Sequence, residues 1–257
     1  MGGLITWMLL GIRRRSAEIM KRACKDRVRP RNWSNWELRK IAPTYQGDVI
    51  NVSGWKDEDQ VGGHYADYFP NALSYTISNF VGEKGYQGAS NEISLDIEAD
   101  LPPHLTGQFQ VVFNHTTLEH VYDIRKAVAN LCAMSHDTVI LVTPFLQQVH
   151  YEEGSFGDYW RPTPMCLERM LVEHGFEVVY QSSNDNEWYI VYLFTVATRS
   201  PEKYRGKIPF QKIQEWVGVK HFGLADSLPQ HNAAVIRNHD IRHAVVWIFA
   251  DGRGNEF

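Results

Sequence analysis

The strongest constraint on the fold is an alternation of apolar patterns in the second half of the chain. Apolar residues recur every three or four positions from Val121 to Met134, which is typical of a helix with one buried face. The continuous run Val139 to Val142 follows and predicts a buried strand. Thr163 then offers an N-cap, Pro164 suits the first helical position and Gly175 suits the C-terminal cap. These signals predict that strands and helices alternate.

Six further short apolar runs bring the predicted sheet to seven strands. The polar segment between the last two runs, residues 182–187, is short enough only for an antiparallel return. The pattern predicts an α/β fold: a Rossmann-like, mainly parallel seven-stranded sheet with helices on both faces and a C-terminal antiparallel hairpin. Ligands of such sheets bind at the carboxyl ends of the strands. The six runs are Val49–Val52, Leu73–Ile77, Glu92–Leu95, Val111–Phe113, Phe176–Gln181 and Trp188–Thr198.

Length and charge suit one main domain. With 257 residues, of which 44% are hydrophobic, the chain can bury one substantial core. We expect a domain at 41–199, a helical and basic extension at 1–40, and an extension of unknown role at 200–257. Whether Ala244–Ala250 adds a strand stays open. The formal net charge of -4 gives no basic surplus for a phosphate backbone, so no nucleic-acid partner is expected.

The cysteines and the N-terminal segment bear on location. Three widely spaced cysteines predict neither disulfides nor a bound metal, and they favour a reducing, cytoplasmic compartment. The apolar stretch Leu4–Ile12 is too short for a bilayer, and arginines follow it, which is the wrong order for a signal peptide. Residues 4–27 have two interpretations: a helix on the domain's own core, or a basic amphipathic helix on a membrane surface or partner. No oligomeric state is predicted.

Two stretches carry a family resemblance. They read LDIEADLPPHLTGQFQVVFNHTTLEHVYDIRKAVANL from Leu95 and VILVTPFLQQVHYEEGSFGDYWRPTPMCLERMLVEHGFEVV from Val139. In this order they resemble class I S-adenosylmethionine-dependent methyltransferases of the type 11 group. His150 followed by Asp-Tyr-Trp-Arg at 158–161 resembles a variant among methyltransferases encoded with surface-polysaccharide genes. The resemblance implies S-adenosylmethionine as cofactor and methyl transfer as activity.

The resemblance also implies which residues hold the cofactor. Asp96 and Asn114 have a second interpretation, because polar residues at strand ends often cap the following turn. Glu119 also has a second interpretation, since a carboxylate at a helix N-terminus is favourable without any ligand. His120 stays open between a base and a packed residue. The implied contacts are Ser53 and Gly54 with the methionine portion, Asn79 with the ribose, Asp96 with the adenine edge, Asn114 near the sulfonium, and Glu119.

The long loop after the fifth strand is predicted to contact the acceptor, because loops of this length in compact domains are usually functional. His150 is the candidate general base, since its ordinary pKa of about 6.5 allows proton uptake near neutral pH. Asp158 would orient it, Arg161 would grip a carboxylate or phosphate, and Tyr159 would stack on a sugar or flank the sulfonium. Alternatively, Asp158 and Arg161 pair to brace the loop while Trp160 fills the core.

Three functions follow from these assignments. The first is methyl transfer to a hydroxyl of a small molecule or glycan precursor. The second is a non-catalytic binding or scaffold protein, because Asn51–Lys56 replaces the glycine-rich loop of the family. The third is an enzyme that cleaves or cyclises S-adenosylmethionine.

Overall fold

The structure is a computed structural model that describes residues 29–82, 85–145, 147–184 and 191–213. The predictions for residues 4–27 and for Ala244–Ala250 lie outside these ranges. The division into a domain at 41–199 with two extensions stays a prediction. Leu38 and Tyr204, on either side of the expected boundaries, are buried in the same hydrophobic cluster.

The seven predicted strands form one sheet in the order β3-β2-β1-β4-β5-β7-β6. Neighbours from β3 to β5 are parallel, and β7 is antiparallel to both β5 and β6. The mainly parallel sheet with a C-terminal antiparallel hairpin is thereby confirmed. The strands are β1 (Asp48–Val52), β2 (Ser74–Asn79), β3 (Glu92–Ser94), β4 (Phe109–His115), β5 (Ser135–Pro144), β6 (Glu177–Ser183) and β7 (Tyr192–Thr198).

Helices cover both faces of the sheet. Successive residues of β4 alternate between two hydrophobic clusters, because neighbouring side chains of a strand point to opposite faces. Phe113 packs with Leu38 on one face, and Val112 packs with Val128 and Leu167 on the other. The predicted helices on both faces are thus confirmed. The α-helices are α1 (Pro30–Ile41), α2 (Ile124–Met134), α3 (Pro164–Glu173) and α4 (Pro201–Tyr204).

The helix ends follow the capping signals of the sequence. The Thr163 hydroxyl accepts a hydrogen bond from the Cys166 amide at 3.2 Å, and Gly175 has φ of +77°. The helix α2 begins three residues later than the apolar spacing predicts. Asp123 caps it by accepting from the Lys126 amide at 3.0 Å, so Val121 lies before the helix.

The chain reverses direction across the sheet at β1. From β1 it builds β2 and β3 on one side and then returns to place β4 on the other. Val52 and Asn114 are register partners at the carboxyl ends of β1 and β4. Such a switch point opens a crevice where ligands of α/β sheets bind. In the described part of the chain, no helix has the length and apolarity needed to cross a membrane.

The N-cap of α3 gives a test of the fold. Replacing Thr163 with Ala leaves the Cys166 amide without its acceptor, so we expect a loss of about 1 kcal/mol in the free energy of unfolding. Urea denaturation measures it. Met165→Ala, at an exposed position of the same helix, is the control and should change stability by less than about 0.5 kcal/mol. Equal stability of the Thr163 variant and wild type would contradict the capping role.

Candidate functional site

A polar cavity of about 200 Å³ opens between the carboxyl ends of β1 and β4. It lies at the switch point of the sheet, as the fold class predicts. Ser53 and Gly54 line it from the β1 side, and Thr116 and Thr117 from the β4 side. Its lining also includes a positively charged side chain, Arg31, and a negatively charged one, Glu58. The cavity therefore suits a small ligand that carries both charges.

The loop after β1 is held in a strained conformation. Ser53, Trp55, Asp57 and Gln60 all have φ between +50° and +63°, a region that side-chain-bearing residues rarely adopt. Each such residue costs of the order of 1 kcal/mol, and strained positions cluster at functional sites. At Gly54, a Cβ atom would lie 2.6 Å from the Asn51 side chain, so packing alone requires glycine there. The loop is therefore held in one conformation, although it lacks the glycine-rich sequence of the family that the chain resembles.

Asn79 holds this loop against the sheet. Its Oδ1 accepts from the Trp55 amide at 2.7 Å, and its Nδ2 donates to the Trp55 carbonyl at 3.0 Å and to Glu92 Oε1 at 2.6 Å. Both amide hydrogens are therefore used within the protein. Asn79 thus anchors the loop, and its predicted contact with the ribose stays a prediction.

Asn114 and Asp96 end their strands in different environments. Asn114 is buried, and its Nδ2 donates to the Val52 carbonyl at 2.8 Å, which ties β4 to β1. Its Oδ1 has no hydrogen-bond partner among the described residues. Asp96 is exposed and accepts from the Glu98 amide at 2.9 Å. Capping of the turn accounts for that bond, and the predicted adenine contact stays a prediction.

Arg31 and His115 form a pair that sequence reasoning missed. Arg31 donates to the Tyr65 hydroxyl at 3.0 Å and to the Thr116 hydroxyl at 3.2 Å, and its Nη1 lies 2.8 Å from His115 Nδ1. Because arginine only donates, Nδ1 of His115 is the acceptor, and Nε2 donates to Ser34 Oγ at 2.8 Å. Burial lowers the pKa of His115 well below its usual value, so the ring is neutral.

Glu119 has a fully buried carboxylate at the edge of this region. Neither of its oxygens has a hydrogen-bond partner among the described residues. Burial raises the pKa of Glu119 to about 8, against smaller opposing effects of its own backbone N–H, of Arg161 and of Arg31. A cofactor contact stays a prediction for Glu119. Its chemistry is that of a proton or cation acceptor.

Two histidines lie beside this carboxylate. His120 Nε2 is 3.7 Å from Glu119 Oε1, and the rings of His120 and His150 are 4.9 Å apart in an edge-to-face arrangement. One ligand atom from each of the three residues lies within 4.8 Å of the others. Burial lowers the pKa of His120, which favours a neutral ring with a free lone pair. This cluster could not be predicted from the sequence, because His150 is thirty positions from His120.

Asp158 and Arg161 brace the loop around His150. Arg161 donates two bonds to Asp158, one of them at 2.7 Å, and three more to the carbonyls of Gln147, Gln148 and Trp160. A guanidinium has five N–H donors, so all are used within the loop. Arg161 thus braces the loop, and its predicted grip on a carboxylate or phosphate of the acceptor stays a prediction. Asp158 keeps its orienting position, since its Oδ2 accepts from the His150 amide at 2.7 Å.

Three aromatic side chains beside this loop face solvent. Tyr159 is 52% exposed, Trp160 is 40% exposed and Tyr122 is 73% exposed. The Trp160 indole donates to the Tyr122 carbonyl at 3.1 Å, and the Tyr122 and Tyr159 rings meet edge to face at 5.5 Å. Trp160 therefore does not fill the core. We call the exposed surface that Tyr122, Tyr159 and Trp160 form the aromatic patch.

Comparison with known proteins finds similarity among solved structures. No family model and no curated protein matches the chain. An S-adenosylmethionine-dependent methyltransferase from Mesorhizobium loti matches with a TM-score of 0.48 and 11% identity, over 65% of this chain and 98% of that one. A putative one from Listeria monocytogenes matches with 0.47 and 12%, over 64% and 97%. Magnesium protoporphyrin IX methyltransferase from Synechocystis, with bound S-adenosylmethionine, matches with 0.46 and 13%, over 66% and 79%.

The raised pKa of Glu119 predicts a pH-dependent stability. An acid whose folded pKa exceeds its unfolded value stabilises the protein at low pH, and this contribution is lost as pH rises toward about 8. Glu119→Gln removes the titration, so the variant should gain stability relative to wild type between pH 5 and pH 9. One pKa unit corresponds to about 1.4 kcal/mol, so the gain should reach a few kcal/mol. Urea denaturation with a chelator present measures it, and parallel pH profiles would contradict it.

Proposed function

We propose that this chain is an S-adenosylmethionine-dependent methyltransferase that acts on a hydroxyl of a small molecule or glycan. The observation that carries the proposal is the polar cavity at the switch point of the sheet. The cavity lies next to Thr117, and the chain runs from there through Leu118 to the buried Glu119. Cofactor cavity and proton-handling groups are thus joined by one short segment.

The cavity has the donors and acceptors that the methionine end of the cofactor needs. That end carries a carboxylate and an ammonium group, and Arg31 and Glu58 offer the complementary charges. The buried Nε of Arg31 has no hydrogen-bond partner in the described ranges, so one donor is available. Ser53 and Gly54 would hold the same end from the β1 side. The bound cofactor supplies an electrophilic methyl group.

The aromatic patch supports a sugar-like acceptor. Exposed aromatic rings bury apolar faces of a ligand and leave its hydroxyls accessible. Tyr159 and Trp160 directly follow Asp158, which positions His150. A sugar stacked on the patch would therefore present its hydroxyls close to His150. The edge-to-face contact of Tyr122 with Tyr159 keeps two of the rings at a fixed angle.

His150 is the group proposed to take up the acceptor proton. Its side chain is 42% exposed, and its Nδ1 lies 3.4 Å from Asp158 Oδ2, so Nε2 is the nitrogen left to accept a proton. Asp158 is itself fixed by Arg161, so the ring orientation is set before the acceptor binds. Fixed orientation matters because methyl transfer needs an in-line approach of the hydroxyl oxygen.

Cofactor binding tests the proposal directly. Calorimetry should show S-adenosylmethionine binding to wild type, and Arg31→Gln should weaken it about tenfold or more, since a charge-assisted contact is lost. Arg125→Gln, at an exposed arginine far along the chain on α2, is the matched control and should bind as wild type does. Correctly folded wild type without affinity for the cofactor would overturn the proposal.

Turnover separates the three functions that the sequence leaves open. With an acceptor present, mass analysis should detect S-adenosylhomocysteine and a methylated product. His150→Ala should lose turnover by about 100-fold or more and keep cofactor affinity. Release of methylthioadenosine would instead indicate cleavage of the cofactor. Binding without any turnover across a panel of glycans and small hydroxyl compounds would favour a scaffold.

A further inference from the structure

The cluster of Glu119, His120 and His150 has the composition of a metal site. We propose that these three residues bind one divalent transition-metal ion, with zinc as the first candidate, through one carboxylate oxygen and two imidazole nitrogens. The proposal concerns a site in addition to the cofactor cavity. Its three ligands come from the turn after β4 and from the loop after β5.

The spacing of the ligand atoms is close to what a metal requires. Zinc bonds to nitrogen and oxygen of about 2.0–2.1 Å at tetrahedral angles place the ligand atoms about 3.4 Å apart. His120 Nε2 and Glu119 Oε1 are 3.7 Å apart, and the full set lies within 4.8 Å. Closure onto a metal needs the longer separations to shorten, and His150 has the most exposed side chain of the three residues.

The carboxylate of Glu119 points to a bound cation independently of the spacing of the ligand atoms. A buried carboxylate without hydrogen bonds is unfavourable unless it takes up a proton or a cation compensates its charge. The side chain of Glu119 is 0% exposed, and both oxygens lack a hydrogen-bond partner among the residues described. The nearest imidazole, His120, sits too far away for a hydrogen bond. A cation between them satisfies both groups at once.

Both histidines carry the outer contacts that metal ligands usually have. A ligating imidazole commonly donates its other N–H to a carbonyl or carboxylate, which fixes the ring and the tautomer. His120 Nδ1 lies 2.6 Å from the Gly157 carbonyl. His150 Nδ1 lies 3.4 Å from the Asp158 carboxylate. In both rings the outer contact is made by Nδ1, so Nε2 is the nitrogen left to bind a metal.

The donor set selects the class of metal. Imidazole nitrogen suits zinc, iron and other first-row transition metals, whereas magnesium and calcium prefer oxygen ligands alone. Two histidines and one carboxylate also leave at least one coordination position open, as in catalytic zinc and non-haem iron sites. The open position could take water or a hydroxyl oxygen of an acceptor.

The role of the metal in catalysis rests on the proposed function, whereas metal binding itself does not. A bound cation lowers the pKa of a coordinated hydroxyl, which makes its oxygen a better nucleophile for a methyl group. With the metal bound, His150 would act as a ligand, the proton of the coordinated hydroxyl would pass to solvent, and the loss of turnover in His150→Ala would reflect the loss of a ligand. A methyltransferase with this site should lose activity with a chelator and recover it with zinc.

Zinc binding to the tag-free, full-length chain tests the site. Calorimetry with zinc chloride, after dialysis against chelator, should give one ion per chain. Glu119→Gln keeps the side-chain shape and removes the charge, and we expect affinity to fall at least 100-fold. His120→Ala should do the same. His104→Ala, at an exposed histidine outside the cluster, is the matched control and should bind as wild type does. Iron(II) and magnesium chloride, run in parallel, establish the class of metal.

Each outcome decides the proposal. Zinc should raise the thermal midpoint of wild type and leave that of Glu119→Gln unchanged, so the variant's fold is checked in the same measurement. Asp158→Asn should weaken zinc affinity 10- to 100-fold as a positioning effect. Equal zinc affinity of wild type and Glu119→Gln, or stronger binding of magnesium than zinc, would overturn it. Zinc binding without S-adenosylmethionine binding would support the metal site and reject the methyltransferase.

Discussion

The burial of one apolar side chain, Leu118, determines the course of the chain after β4 and with it the position of Glu119. The strand β4 is buried along its whole length, and Leu118 returns to the same core only three residues after the strand ends. The chain makes this return through Thr116, whose φ is +48°. Since Glu119 follows directly, its carboxylate is carried into the interior together with Leu118. The burial of Leu118 thereby brings the carboxyl group of Glu119 into the interior, although this group alone would be more stable in water.

Two strained turns face the same cavity, one after β1 and one after β4. The first contains Ser53 and Trp55, and the second contains Thr116, all with positive φ. Their conformational cost is offset by specific bonds: Asn79 fixes the Trp55 peptide, and Arg31 donates to the Thr116 hydroxyl. Because several hydrogen bonds hold the two strained turns, the surface of the cavity is formed before a ligand binds. A ligand that enters such a cavity meets groups already in place, so less of its binding energy is lost in ordering them.

The sequence predicts what depends on neighbours along the chain and misses what depends on folding. The strands and the capped helix α3 were predictable because strand periodicity and the Thr163 and Gly175 caps are local signals. The loop contact of Asn79 could not be predicted because its partner Trp55 lies 24 positions away, and the carbonyl partners of Arg161 depend on the folded course of its loop. The pair of Arg31 and His115 has no periodic signature, since its members meet only when α1 packs beside β4.

Arg161 holds the two ends of the loop after β5 together, whereas the tip of the loop lies in solvent. Gln147 and Gln148 at the start of the loop, and Asp158 near its end, are all held by the one guanidinium. Gly154 sits at the tip with φ of +78° and open space around its α-carbon. Residues 153–155 are exposed. Substitutions at residues 153–155 would therefore leave the bonds between Asp158, Arg161 and the start of the loop unchanged, so the exposed tip can vary in sequence while the position of His150 is kept.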